Sequence, residues 1–120
     1  MSALTDALTA YGADVQSALD RFGGDESLYQ LCFGLLLDDQ NFHDLEAHIA
    51  AENMEGAFLA AHTLKGVLGN LGITPLLHSI SNVVEALRTH DTENLSTEHE
   101  AICAGLAQLR QIQMETASPA

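Results

Sequence analysis

The stretch "TPLLHSISNVVEALR", residues 74–88, spaces its apolar side chains at Leu76/Leu77, Ile80, Val83/Val84 and Leu87. Steps of three and four place them along one face of a helix. The same spacing recurs at Ala57, Ala60, Leu64, Val67, Leu68 and Leu71, and again at Ile102, Leu106, Leu109 and then Gln113 or Ile112. A further stripe reads Leu28, Leu31/Cys32, Leu35, then Phe42, Leu45 and Ile49. Apolar residues make up 47% of the chain but aromatics only 5%, and tryptophan is absent, so the core must be built from Leu, Ile, Val and Ala. Such a core favours helices packed on helices. At 120 residues the chain is expected to form one all-α domain, an antiparallel four-helix bundle with short additional N-terminal helices. Its core should span about residues 12–112, with 115–120 as a frayed tail.

Punctuation refines this outline. Short helices are expected over Ala3 to Thr9 and Ala13 to Arg21, separated by Gly12 and ended by Gly23-Gly24. Asp25 should cap a long helix running to about Ala51, with Asp38 and Asp39 either near solvent in its middle or at a bend. Asn53 is a good N-cap for the next helix, with Glu55 favourably placed in the first turn. That helix should stop at Gly72, with Ile73 folded back onto Leu68. Thr74 is expected to cap the next segment with Pro75 at its first position, and Thr97-x-x-Glu100 fits a capping box for the last helix.

The formal charge of −13, from 17 acids against 4 bases, repels nucleic acid and anionic membranes, so neither is expected as a partner. Cys32 and Cys103 stand far apart without a Cys-x-x-Cys pairing, and two buried, reduced thiols are expected. The start, "MSALTDALTAYGADVQ", lacks a basic region followed by an apolar run, and the longest apolar run, "LCFGLLL", is far too short to cross a bilayer. A cytoplasmic location is the expectation.

"AAHTLKGVLGNLG", residues 60–72, continues the helical pattern yet carries Gly66 and Gly69 inside it. At about 100° per residue, His62 lies nearly opposite the centre of the apolar stripe, on a face shared with Glu55, Phe58, Lys65, Gly66 and Gly69. Helical side chains lean toward the N-terminus, so Lys65 and Gly66 are the residues that would cover His62. Glycine at that place leaves the imidazole bare and lets another protein approach, and Gly69 extends the bare strip. An interior glycine costs about 0.5–1 kcal/mol relative to alanine, a poor choice for a bundle that needs only stability. Lys65, one turn from the histidine, can neutralise an anion on the imidazole or the charge of a phosphoryl group in flight. A neutral, exposed imidazole with an open approach and one local cation suits phosphoryl acceptance.

The segment "AHTLKGVLGNLG" closely resembles the phosphoacceptor motif of histidine-containing phosphotransfer (HPt) domains, approximately A-H-x-L-K-G-x-x-x-x-L-G. The resemblance extends through "GADVQSALDRFGGDESLYQLC", "AAENMEGAFLAAHTLKG" and "LLHSISNVVEALRTHD", covering Gly12 to Leu109. It implies a four-helix bundle with His62 as phosphoacceptor, Lys65 as the neighbouring cation and Gly66 as the small residue that permits docking. It further implies a relay in two-component signalling, between aspartates of receiver domains and a hybrid or other sensor histidine kinase. No cofactor of its own is implied; Mg²⁺ would be held by the partner receiver. Phe58, Gly66 and Gly69 are read as the neutral docking patch around His62, with packing at the edge of the core as the other reading of Phe58, and a monomer is expected. In some members a polar residue on the adjacent helix orients the imidazole; Ser79, Asn82 and Glu85 are candidates by spacing.

Two other readings stand beside this one. Asp44 and His48 share a face at i, i+4, which raises a metal-binding bundle, although the paired Glu-x-x-His motifs of di-metal bundles are missing. An interaction bundle that kept the fold and lost phosphotransfer is the other. Met1 and the trailing "ASPA" suggest a freestanding relay over a fragment of a larger kinase.

Overall fold

Asp25, Asp39 and Asn53 each stand one residue ahead of a helix, and each side chain accepts a backbone N–H from the first turn: from Leu28 at 3.0 Å, Asn41 at 2.8 Å and Gly56 at 3.1 Å. These caps satisfy donors that a helix start leaves without partners. In the computed structural model, which describes residues 2–117, they open three of seven helices. The order is α1 (Ala3–Tyr11), α2 (Val15–Arg21), α3 (Glu26–Leu37), α4 (Gln40–Ala50), α5 (Met54–Leu71), α6 (Thr74–Arg88) and α7 (Leu95–Thr116).

The architecture is the expected all-α antiparallel bundle with short N-terminal helices. Helix α5 lies between α4 and α6, α6 packs on α7, α3 leans on both α5 and α7, and α1 and α2 close the same end against α7 and α5. Ala57, Ala60, Ala61, Leu64, Leu68 and Leu71 form the buried face of α5, against Ile80, Val83, Val84 and Leu87 of α6 and Ile102 and Leu109 of α7 in one core. Burying a side chain such as Leu64 or Leu68 stabilises by about 1.5–3 kcal/mol. The stop of α5 is as expected: Ile73 N–H donates to the Leu68 carbonyl at 3.0 Å, and Gly72 holds φ +70°. Gly72 also presses on the Asp14 backbone, and Asp14 N–H donates to its carbonyl at 2.8 Å, so a side chain there would push α2 off the end of α5.

Several boundaries and faces differ from expectation. The single helix from Asp25 to Ala51 is two helices, because Asp38 ends α3 and Asp39 turns its carboxylate to cap α4. On α3 the core takes Tyr29, Phe33, Leu36 and Leu37, while the expected stripe faces out, with Leu28 43%, Leu31 61% and Leu35 62% exposed. The sequence "ESLYQLCFGLLL" is apolar nearly all round, so spacing selects no face and the larger area of Tyr29 and Phe33 decides. Thr74 is not a cap: α6 starts after Ile73 without a side-chain cap, and the Thr74 hydroxyl donates to the Gly72 carbonyl. The capping box at Thr97 is likewise overturned, since α7 begins at Leu95, whose buried side chain carries the helix start into the core. Glu115 and Thr116, expected in the frayed tail, are the last residues of α7, and residues 118–120 lie outside the described ones. Both thiols are free; Cys32 is only half-buried and Cys103 is exposed, where the expectation was burial.

Candidate functional site

His62 projects from the middle of α5 into solvent, opposite the alanine and leucine face that anchors the helix. Its ring is parallel to that of Phe58, one turn earlier, at an interplanar angle of 3° and a centroid separation of 5.9 Å. That separation suits an offset stack. The backward lean of helical side chains brings His62 onto Phe58. Arg88, the last residue of α6, sets its guanidinium carbon over the Phe58 ring at 5.9 Å from the centroid, a cation–π contact worth about 0.5–1 kcal/mol at an exposed site. Glu85 pairs with Arg88 at 3.7 Å, an exposed contact that contributes little to stability.

Lys65 is exposed one turn beyond the histidine. A Cβ built on Gly66 would meet nothing within 4 Å, so the approach beside the imidazole is open. Gly69 is less bare than expected: it is half-buried, a Cβ there would touch Leu77 at 3.9 Å, and its carbonyl accepts from Arg21 at 2.7 Å. From Thr63 and Gly66 a groove of about 780 Å³ opens toward α2 and α3, walled by Phe22, Cys32, Leu35 and Val67. Leu59, 60% exposed, adds apolar surface one turn before His62.

The four bases divide in two. Arg21 donates to the Gly69 and Asn70 carbonyls and closes the C-terminal end of α5, and Arg110 donates to the Leu37 carbonyl at the end of α3. Lys65 and Arg88 make no such backbone bond among the described residues, and both stand near His62 in sequence or through Phe58. Arg88 escaped the sequence reading because its contact crosses from α6 to α5; asking where each of the four cations is engaged would have singled it out. No hydrogen bond joins Ser79, Asn82 or Glu85 to His62 among the described residues, and Glu85 faces Arg88 instead.

The metal reading finds other employment for its residues. Asp44 accepts from Gln40 at 3.3 Å, and His48 Nδ1 meets the Asn53 amide at 3.2 Å. No group of three or more His, Cys, Asp or Glu side chains converges among the described residues. Among the described residues no helix is long and apolar enough to cross a membrane.

The bundle thus displays His62 on the exposed side of α5, with open space at Gly66 and the exposed Lys65 one turn away. Residues 38–112 match the family model described as Hpt domain. The chain belongs to the Hpt domain family, histidine phosphotransfer modules of two-component signalling. Comparison with curated proteins and with solved structures gave no match.

Proposed function

We propose that His62 is the phosphoacceptor of this chain, taking a phosphoryl group from an aspartyl phosphate of one receiver domain and passing it to another. The observation that carries the reading is the exposed imidazole on α5 with unoccupied space at Gly66 beside it. The lone pair of a ring nitrogen attacks phosphorus, the N–P bond forms as the P–O bond to the aspartate breaks, and the electron pair leaves on the carboxylate. The second ring nitrogen keeps its proton, and the ring's positive charge is offset by the phosphoryl oxygens. Transfer onward is the reverse step. The Lys65 ammonium stabilises the oxygens during transfer. The receiver carries the Mg²⁺ that shields the phosphoryl charge, and this chain contributes no nucleotide site.

The receiver docks over Gly66 and along the groove toward Leu35, whose lining is mainly apolar with one charge of each sign, Arg21 and Asp39, in a chain of net charge −13. Acidic receiver pockets would be repelled by most of the remaining surface. A sensor histidine kinase stands upstream of the donor receiver, and the relay works as a cytoplasmic monomer.

The test offers a panel of phosphorylated receiver domains to the natural chain, His62→Gln and Lys65→Ala, scoring acid-labile, base-stable phosphate. Label on the natural chain, absent from His62→Gln and slower to appear on Lys65→Ala, is the expected result. Equal label on His62→Gln would move the acceptor elsewhere. An inert interaction bundle predicts no label from any receiver.

A further inference from the structure

We infer that Phe58 and Arg88 are positioning residues for the His62 imidazole. The inference rests on the relay reading for its consequence, and on geometry alone for its substance.

An exposed histidine on a helix ordinarily samples several rotamers, and only some of them aim a ring nitrogen at an incoming phosphorus. Group transfer is sensitive to that aim, since misplacement by about 1 Å costs on the order of a hundredfold in rate. A polar neighbour that fixed the ring through its other nitrogen would solve the problem, but among the described residues His62 makes no side-chain hydrogen bond to Ser79, Asn82 or Glu85. What the ring does lie against is Phe58, parallel to within 3° in an offset arrangement with centroids 5.9 Å apart. A stack restricts the tilt of the imidazole while leaving both nitrogens, which lie in the ring plane, uncovered. Phe58 therefore orients without competing for the lone pair that must attack.

Phe58 is itself held. It is half-buried against the core, and Arg88 lies over its ring at 5.9 Å, with Glu85 drawing the guanidinium back along α6 at 3.7 Å. The set runs from α6 through Phe58 to His62, so the end of α6 bears on the angle of a ring carried by α5. The same contact places a guanidinium on the Phe58 side of the imidazole, while Lys65 stands one turn beyond it. Phe58 thus has a different task from the receiver contact suggested by its place on the His62 face.

The experiment has two arms on Phe58→Leu, Phe58→Tyr, Arg88→Gln and Arg88→Lys. The first reads the His62 ring-proton NMR signals, assigned by their loss in His62→Gln. A ring held parallel beside Phe58 has its proton signals shifted by the Phe58 ring current. The shift should vanish in Phe58→Leu, persist in Phe58→Tyr, shrink in Arg88→Gln and recover in Arg88→Lys. The second arm measures transfer from a phosphorylated receiver at rising concentration. Positioning predicts that Phe58→Leu lowers the saturated rate about tenfold, leaves the half-saturating receiver concentration unchanged, and is rescued by Phe58→Tyr. Unshifted ring signals in the natural chain would overturn the inference. So would a Phe58→Leu chain with a normal saturated rate and a raised half-saturating concentration, which would return Phe58 to docking. If the natural chain accepts no phosphoryl group, the relay reading falls, and the ring signals still decide whether Phe58 holds the imidazole.

Discussion

At Gly66 an added methyl group meets open space, so Gly66→Ala should stabilise the fold by about 0.5–1 kcal/mol, read as a higher denaturation midpoint. A bulky Gly66→Leu should instead raise the half-saturating receiver concentration while the bundle stays folded. Unchanged transfer in Gly66→Leu would remove Gly66 from the docking account. Tyr29 carries a second residue-scale prediction. Its hydroxyl, buried beneath the end of α5, donates to the Leu71 carbonyl at 2.7 Å, and burial, partly offset by the Arg21 charge, pushes its pKa up to about 12. The neutral phenol is the form the fold favours. Its contribution is complete below the unfolded value of about 10 and is lost as pH rises from there through 12. Tyr29→Phe should cost about 0.5–1.5 kcal/mol at neutral pH, and flatten the alkaline fall in stability. An identical alkaline profile in the variant would exclude Tyr29 as its source. The grouping of His62, Lys65 and Gly66 was legible in the sequence because all three lie within two turns of one helix. The Phe58–Arg88 contact was not, because it depends on how α6 crosses α5.

Helix boundaries were legible wherever a local cap carries the information. Asn53 and Gly72 bracket α5 through bonds to residues within five positions of them, and the spacing of α5 and α6 names most of their buried faces, missing Ala61 and including Val67 and Leu77, which are only half-buried. The α3–α4 break was ambiguous, since Asp38 and Asp39 suit an exposed helix middle as well as a stop and a cap. The face of α3 was misread because its leucines and aromatics compete around the whole circumference, and only packing against α5 and α7 resolves them. The two faces can be told apart by mutation. Leu31→Gln should leave stability within about 0.5 kcal/mol, whereas Phe33→Ala should cost about 3–5 kcal/mol, both read by chemical denaturation. A severe loss from Leu31→Gln would reverse the assigned face. The cap of α7 was misplaced because Leu95, buried at the helix start, outweighs the better capping sequence two residues later.

The matched residues 38–112 hold α4 to α6 and most of α7, including His62, Lys65 and Arg88. Helices α2 and α3 precede them and contribute Phe22, Cys32 and Leu35 to the groove beside Gly66. The proposed phosphoacceptor therefore lies in the shared part of the molecule, and one wall of the proposed docking groove in the part outside the match. Leu35→Asp should then weaken receiver docking, with the His62 ring signals unchanged. The central claim is that the phosphoryl group sits on a ring nitrogen of His62. The most direct measurement is the ³¹P NMR spectrum of the chain after transfer from a phosphorylated receiver, recorded for the natural sequence and for His62→Gln. The account predicts an N–P phosphoramidate signal that persists in base, is lost in acid and is absent from His62→Gln. A phosphoramidate signal of equal intensity in His62→Gln, or a phosphoester or acyl-phosphate signal in its place, would contradict it.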